Sequence, residues 1–503
     1  MPLFALILST IAFLSIDDRP VTSQLPVMLG RIAGVRVETP PRRLLGHFLD
    51  SGKSDALIAW INQTAAKKRT GAFVISTDML AYGGLTASRV PGASYTDAYS
   101  RLNELAHLRS EYPEAWIGAF GTIMRLAPTG IPAGTAFFAP YPIWSYLQQY
   151  ANLHDPPLPS EAASARHLQE LIGAATLESY LATRARNLGV DRLLLTMTAR
   201  GIIDRLVLGQ DDAGLVGLHV PEVQLLQSEL AAANVAGRAS IEPGADELGI
   251  SLIAHAIARA ARWTPRIAVE YSVPGGASYQ DPIEYAPIST AIDALIGVCG
   301  GVRVDHDPDI LLYVRVPGTT AAQDSALISG MSGSISVGRS VALADLSYLK
   351  SYGDQANFAQ LLLSSNVSPK LDAYSSWNTN ANTVGTALAE AIAAGAGRRM
   401  HSYDALAHRE FTFVRFVDDY AFHDYVRPDL NATLEAKGIT DHSLLAPEVA
   451  ASIAERDRAL LWPYAETILA HLDPGYHIAA MSIGLPWGRT FETSIDVGLA
   501  PNL

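Results

Sequence analysis

Residues 206–214 read Leu-Val-Leu-Gly-Gln-Asp-Asp-Ala-Gly, which is a short apolar segment followed by two acids and a glycine turn. The apolar residues Leu206–Leu208 predict a buried strand, and Asp211 and Asp212 follow it closely. Adjacent carboxylates repel each other and lose solvation together, so stability alone rarely places two of them at the end of a buried strand. An ordinary turn of aspartate and glycine is the structural alternative. The choice depends on what the chain places at the ends of its other strands.

Short apolar segments alternate with segments of helical periodicity over most of the 503 residues. The predicted strands are Ile11–Ile16, Val35–Glu38, Ala72–Ser76, Trp116–Phe120, Leu206–Leu208, Ala239–Ile241, Ile267–Glu270, Ile310–Val314, Val341–Ala344 and Ala373–Ser375. Such alternation is typical of parallel sheets that are covered by helices, so the chain is predicted to be α/β. The Pro- and aromatic-rich stretch 128–159 is predicted to be an inserted loop, and the Ala/Gly/Ser-rich stretch 317–338 a flexible crossing.

The number of predicted strands, about ten, exceeds that of a single eight-stranded barrel. We therefore expect a (β/α) barrel-like domain over residues 1–264, which carries the acidic motifs, and a second α/β region over residues 265–400. A mainly helical region is expected over residues 401–503. Two doubly wound parallel-sheet domains are the alternative architecture.

Composition excludes several classes of partner. Lysine and arginine number 37 against 50 acids, a formal net charge of −13, which argues against a nucleic-acid-binding protein. The single cysteine, Cys299, excludes an internal disulfide framework. The apolar run Leu3–Leu14 lacks a preceding basic residue and is shorter than the roughly 20 residues of a membrane span. No membrane span and a cytoplasmic location are therefore expected, with export as the alternative, and the oligomeric state is left open.

Polar and acidic residues follow most of the predicted strands. In parallel α/β proteins ligands gather at the carboxyl ends of strands, so these residues are the candidates for a site. They are, in chain order, Asp17, Asp18, Arg19, Asp78, Tyr82, Arg125, Asp211, Asp212, Asp246, Glu247, Trp377, Asn378, Asn380 and Asn382. An ordinary solvent-exposed edge of a sheet would carry a mixture of lysines and glutamates. The composition of this set therefore favours a functional site at the edge of the sheet.

As a set, several stretches resemble the bacterial family catalogued as domain of unknown function 4127. The matching stretches are Asp17–Pro20, Pro40–Gly46, Ala81–Leu85, Gln210–Asp212, Pro243–Glu247, Trp377–Gly385 and Arg415–Tyr420. The resemblance implies kinship over most of the chain and brings no catalytic assignment. Function has to be argued from the chemistry of the residues.

Paired carboxylates suit general acid–base catalysis, because one can stay ionised while its neighbour keeps a raised pKa. The first hypothesis is a glycoside hydrolase, with a hexosaminidase-like mechanism as one form of it, acting on a carbohydrate or other small molecule. Its predicted catalytic residues are Asp211, Asp212, Asp246 and Glu247. The predicted substrate-binding residues are Asp17, Asp18, Arg19, Asp78, Tyr82, Arg125, Trp377, Asn378, Asn380 and Asn382. Core packing of the aromatic side chains and helix capping by the asparagines are the structural alternatives.

Two further functional hypotheses remain. The same carboxylates are hard oxygen ligands, so a divalent metal and a metal-dependent hydrolase of phosphate or amide bonds form the second hypothesis. No other cofactor is expected, since the chain contains neither a phosphate-binding Gly-rich loop nor a His-Glu-x-x-His run. The third hypothesis is a non-catalytic protein that binds a small molecule or sugar.

Overall fold

A computed structural model of the chain describes residues 10–67, 70–127, 141–154, 157–211, 214–281, 284–347 and 354–502. The chain forms two compact units. The first unit comprises residues 1–18, 37–249 and 280–286, and the second comprises residues 19–36, 250–279 and 287–503.

The first sheet has six strands in the order β2-β1-β3-β4-β5-β6. They are β1 (Thr10–Leu14), β2 (Arg36–Glu38), β3 (Thr70–Ser76), β4 (Trp116–Ile123), β5 (Arg205–Gln210) and β6 (Ala239–Pro243). From β1 to β6, omitting β2, neighbouring strands pair in parallel. The chain adds β2 on one side of β1 and the remaining strands on the other, which is the winding of a doubly wound fold. Because β1 and β4 are buried along their whole length, their sequences are apolar runs without alternation.

The second sheet has five strands in the order β11-β10-β9-β7-β8, all paired in parallel. They are β7 (Arg266–Tyr271), β8 (Val302–Arg303), β9 (Ile310–Arg315), β10 (Ser340–Asp345) and β11 (Ala373–Ser375). This sheet repeats the winding of the first, since β8 lies on one side of β7 and the later strands lie on the other. An antiparallel pair, β12 (Tyr476–Gly484) and β13 (Ser494–Pro501), lies in the region predicted to be mainly helical.

Helices make up the rest of the regular structure in the part of the chain that the structure describes. The α-helices are α1 (Leu25–Ile32), α2 (Ser54–Ala65), α3 (Thr77–Tyr82), α4 (Leu85–Ser88), α5 (Tyr95–Leu102), α6 (Glu104–Glu111), α7 (Tyr141–Ala151), α8 (Ala162–Ile172), α9 (Ala174–Ala199), α10 (His219–Ala232), α11 (Leu248–Ala260), α12 (Ile288–Val298), α13 (Ala321–Ser336), α14 (Asp354–Leu363), α15 (Asn380–Met400), α16 (Ala405–Arg415), α17 (Arg427–Glu435) and α18 (Pro447–Leu472). Two π-helices, Pro20–Gln24 and Phe416–Val426, and four 3₁₀ turns, Arg42–Leu44, Gly276–Ser278, Ser368–Lys370 and Pro486–Gly488, are also present.

The predicted α/β class is confirmed, and the doubly wound alternative is the architecture that the chain adopts. The barrel-like arrangement is wrong, because both parallel sheets are open and end in edge strands, β2 and β6 in the first and β8 and β11 in the second. Two smaller predictions also differ from the structure. Helix α13 occupies most of the stretch 317–338, and helix α7 lies within the stretch 128–159, of which residues 128–140 and 155–156 lie outside the described residues.

Candidate active site at the carboxyl edge of the first sheet

The carboxyl ends of the parallel strands β1, β3, β4, β5 and β6 lie at one edge of the first sheet. Eight of the predicted site residues follow these ends within the first unit: Asp17, Asp18, Asp78, Tyr82, Arg125, Asp211, Asp246 and Glu247. The winding direction changes between β1 and β3, and doubly wound proteins bind ligands at such a switch point. Asp212 lies outside the described residues.

Asp78 sits in the first turn of α3, directly after β3, and is only 4% exposed. The Ser76 side chain caps this helix by accepting a hydrogen bond from the backbone N–H of Met79. Thr122, near the end of β4, donates to Oδ2 of Asp78 from its backbone N–H (2.8 Å) and from its hydroxyl (2.9 Å). Burial raises the pKa of Asp78 to about 6, although the Thr122 hydrogen bonds and the charges of Arg89 and Arg186 lower it. Asp78 is therefore a carboxyl group that exchanges its proton near neutral pH.

Arg89 connects the segment after β3 with the end of β5. Its guanidinium is ion-paired with Asp211, and its side chain is 2% exposed against 14% for that of Asp211. The same positive charge acts on Asp78. A buried cation beside a carboxylate favours its charged form. Arg89 therefore acts on two carboxyl groups in different environments. Burial raises the pKa of Asp78, whereas Asp211 is ion-paired with Arg89.

Helix α9 supplies polar groups that sequence reasoning missed. The guanidinium of Arg186 lies 4.3 Å from the centroid of the Tyr82 ring and so covers one of its faces. Burial raises the pKa of the Tyr82 hydroxyl well above its ordinary value. Asp191 is buried in the same helix, and burial together with the charge of Asp78 raises its pKa well above the usual range. The sequence signal that could have identified these residues is the presence of charged side chains on the buried face of a long helix.

Asp18 is held by residues of the segment that follows β2. Its Oδ2 accepts hydrogen bonds from Nε of Arg42 (2.9 Å) and from Nδ1 of His47 (2.8 Å), and both donors are more than half exposed. The backbone carbonyl of Asp17 accepts a hydrogen bond from the Ser15 hydroxyl (2.7 Å). Asp18 is thus a buried acceptor whose partners reach the solvent.

Arg125 and the β6 turn complete the edge. The Arg125 carbonyl accepts a hydrogen bond from Nη1 of Arg184 (3.0 Å). The side chain of Arg125 is buried. Glu247 is fully buried and its Oε2 accepts from the backbone N–H of Ala245 (3.2 Å), so it helps to form the turn in which Asp246 lies. Burial raises the pKa of Glu242, at the end of β6, to about 6. Glu242 lies in the strand that Asp246 and Glu247 follow, and it was not among the predicted site residues.

Comparison with protein families matches residues 11–496 to the family described as "Protein of unknown function (DUF4127)". The chain belongs to this family. Neither the curated proteins nor the solved structures give a match. The family resemblance seen in the sequence is therefore confirmed over nearly the whole DUF4127 chain, and it assigns no activity.

The remaining predicted residues of this DUF4127 protein lie in the second unit. The backbone N–H of Trp377 donates to the Thr383 hydroxyl (2.9 Å) and its indole N–H donates to the Thr386 hydroxyl (3.2 Å), and the ring is buried. Nδ2 of Asn378 donates to Oδ1 of Asn382 (2.8 Å). Asn380 begins α15, which Thr379 rather than an asparagine caps. The Arg19 guanidinium lies 4.9 Å from the centroid of the Trp487 ring. The substrate-binding roles of these residues stay predictions.

The second unit also buries carboxyl groups along the π-helix Phe416–Val426 and beside it. Asp419 and Asp424 lie on this helix, and burial raises the pKa of each to about 7. Burial also raises the pKa of Asp457, in α18, to about 7. Arg415 donates to both Asp418 (2.8 Å) and Asp419 (2.8 Å), so part of this negative charge is compensated. Runs of π-helix often mark functional sites.

In the parts of the DUF4127 chain that the structure describes, no three His, Cys, Asp or Glu side chains are grouped so that they could hold a metal ion. Over the same residues, no helix is both long enough and apolar enough to span a bilayer.

Proposed function

We propose that this protein is a hydrolase that cleaves glycosidic bonds, with Asp78 as the general acid and Asp211 as the ionised carboxylate. The observation that carries the proposal is the contrast between these two groups at one sheet edge. The pKa of Asp78 is raised to about 6, whereas Asp211 is ion-paired with buried Arg89. Two carboxyl groups in unlike environments are the usual arrangement for acid–base cleavage of a sugar bond.

In the proposed reaction, Asp78 gives its proton to the glycosidic oxygen as the bond to the anomeric carbon breaks. The leaving sugar then departs as a neutral alcohol, and Asp78 is left as a carboxylate on which the Thr122 donors already act. Positive charge develops on the ring, and Asp211 stabilises it directly or by polarising an acetamido group of the substrate. A water molecule then adds to the anomeric carbon and gives up a proton to the Asp78 carboxylate, which restores the acid. Asp212, the neighbour of Asp211, is the alternative second carboxylate.

Binding of a carbohydrate would use acceptors along the same edge. Asp18 and Asp246 are acidic residues that follow β1 and β6. These strands lie on either side of β3, after which Asp78 lies in the first turn of α3. Carboxylates accept hydrogen bonds from sugar hydroxyls, so these two residues are the proposed contacts. A cytoplasmic location, which cell fractionation would test, is part of the same proposal.

The test is turnover of a panel of 4-nitrophenyl and methyl glycosides that includes the N-acetylglucosaminides. We expect wild-type turnover of at least one member. On methyl glycosides, whose leaving alkoxide needs a proton, kcat/KM should fall about 10²–10⁴-fold in Asp78→Asn, the range for loss of a general acid. Asp211→Asn should also lose activity. Asp55→Asn removes an exposed aspartate in α2 and should behave as wild type.

Two outcomes would contradict the proposal. Sugar binding measured by calorimetry without any turnover would favour a binding protein. Turnover that a chelator abolishes and that added divalent metal restores would favour the metal-dependent hydrolase.

A further inference from the structure

The second unit contains a cavity of about 230 Å³ beside the amino end of β11. The 3₁₀ turn Ser368–Lys370 forms one part of its wall, and the first turn of α16 forms another. Its charged lining consists of three cations, Lys370, Arg398 and Arg409, and two carboxylates, Asp372 and Asp473. These side chains leave one positive charge in excess (three minus two).

Both carboxylates of this cavity are already engaged. The Asp372 carboxylate is bound by both Nη groups of Arg398, one of them at 2.9 Å. Oδ2 of Asp473 is ion-paired with Nε of Arg409, and its Oδ1 accepts from the backbone N–H of Gly475 (3.1 Å). Every oxygen of the two carboxylates therefore has a partner within the protein.

His408, on the cavity wall, adds no free donor. Its Nε2 lies 3.0 Å from the carbonyl oxygen of Asp372, and a carbonyl only accepts, so Nε2 carries the proton. Its Nδ1 then accepts from the Tyr403 hydroxyl at 2.8 Å. Both ring nitrogens of His408 are therefore engaged within the protein.

Two hydrogen-bond donors of the cavity, in contrast, have no partner among the described residues. The Ser368 hydroxyl is buried, with the residue 1% exposed, and has no hydrogen-bond partner among the described residues. The exposed Lys370 side chain makes no hydrogen bond or ion pair with a described side chain. A buried hydroxyl without a partner is costly, and a ligand at this position would satisfy it.

We propose that this cavity binds a small oxyanion, a phosphate or carboxylate group, through Ser368 and Lys370 with Arg398 and Arg409 as flanking charges. The two carboxylates of the wall are occupied, whereas the Ser368 hydroxyl and the Lys370 ammonium have no partner among the described residues, so the ligand has to bring acceptors and negative charge. The volume lies below the roughly 300–1,000 Å³ of sites for drug-sized ligands, which limits the ligand to a small one. This site is independent of the proposed hydrolase activity.

Isothermal titration calorimetry of the full chain with inorganic phosphate, and separately with acetate, tests this inference. Chloride at equal ionic strength serves as the reference. We expect one saturable site for at least one of the two oxyanions. Lys370→Gln should weaken it at least about tenfold and Ser368→Ala several-fold, because each removes a hydrogen bond to a charged group.

Lys437→Gln is the matched control, because it removes another exposed lysine of the second unit and should leave the affinity unchanged. Thermal unfolding without added anion identifies any variant that fails to fold, and Lys370 is exposed, so its replacement should fold normally. The proposal is overturned if neither oxyanion binds better than chloride, if Lys370→Gln binds as wild type, or if Lys370→Gln and Lys437→Gln lose affinity equally.

Discussion

Thr122 donates two hydrogen bonds to the same oxygen of Asp78, one from its backbone and one from its hydroxyl, at 2.8 and 2.9 Å. Both bonds favour the charged form of the carboxyl group, whereas burial favours the neutral form. The balance sets the pKa of Asp78 at about 6. A carboxyl group at this balance can hold its proton near neutral pH and still release it.

Thr122→Val should raise the pKa of Asp78, because it removes the hydroxyl donor and keeps the backbone one. A hydrogen bond to a charged group contributes about 1.5–3 kcal/mol, so the rise should be about one to two pH units. If Asp78 is the general acid, the loss of kcat with rising pH should move to higher pH by the same amount. The measurement is a pH–rate profile with Thr196→Val, an exposed threonine of α9, as control. An unchanged or lower midpoint would contradict the role of Asp78.

Arg89→Gln should destabilise the first unit, because it leaves Asp211 without its buried cationic partner. Breaking a buried pair costs about 3–5 kcal/mol, and the partial exposure of Asp211 places the expected loss near or below the lower end. The double variant Arg89→Gln/Asp211→Asn should recover part of it. Urea unfolding of the two single variants and the double variant measures the coupling. Strictly additive losses would mean that the ion pair contributes nothing to stability.

The pattern of strands could be predicted from sequence because parallel strands buried on both faces are apolar runs. All ten predicted strands are present, including the short β11 (Ala373–Ser375). The open or closed form of each sheet could not be predicted, since it depends on which strands become edges. The order of β1 and β3, which places Asp78 at a switch point, is a property of long-range pairing.

Helix α13 shows how a composition argument failed. Its glycines and serines favoured a flexible crossing, because each glycine costs a helix about 1 kcal/mol. Thr320 and Gln323 form a capping box at its start, with each side chain bonded to the other's backbone N–H. This local signal, a threonine followed three residues later by glutamine, was readable from the sequence.

The candidate site was predictable only in part. Sequence placed Asp78 and Asp211 after strands, and the parallel sheet brings those strand ends to one edge. The pairing of Asp78 with Thr122 depends on the register of β3 and β4, which short-range patterns do not encode. The partner of Asp211 is Arg89, more than a hundred residues away in the chain.

Asp457→Asn should change the pH dependence of stability in the second unit. Asp457 is fully buried, and burial raises its pKa to about 7 although the Thr493 hydroxyl donates to its Oδ2 (3.0 Å). The folded state therefore binds this proton more tightly than the unfolded chain. Its stabilising contribution is complete below about pH 4 and is lost as the pH rises through about 7.

Asparagine at this position cannot ionise, so Asp457→Asn should gain stability relative to wild type between pH 4 and pH 8. The gain is about 1.4 kcal/mol for each pH unit between the unfolded and folded pKa values, several kcal/mol in all. Denaturant unfolding at both pH values measures it, with the exposed Asp496→Asn as control. A gain that is the same at both pH values would show that Asp457 does not titrate in this range.

Gly83→Ala should destabilise the first unit strongly. Gly83 ends α3 with a φ of +94°, where an L-residue with a side chain is strained, and an added Cβ would lie 2.7 Å from the backbone nitrogen of Gly52. That nitrogen donates to the Gly83 carbonyl at 2.7 Å, so the segment around Gly52 cannot move away without losing a hydrogen bond. Strain and clash together should cost about 3 kcal/mol or more.

Gly92→Ala is the control. Its added Cβ meets no atom within 4 Å, so it should change stability by less than about 1 kcal/mol. Chemical denaturation of both variants compares them, and equal stabilities would mean that the Tyr82-Gly83-Gly84 run is not required for this close approach of two backbones.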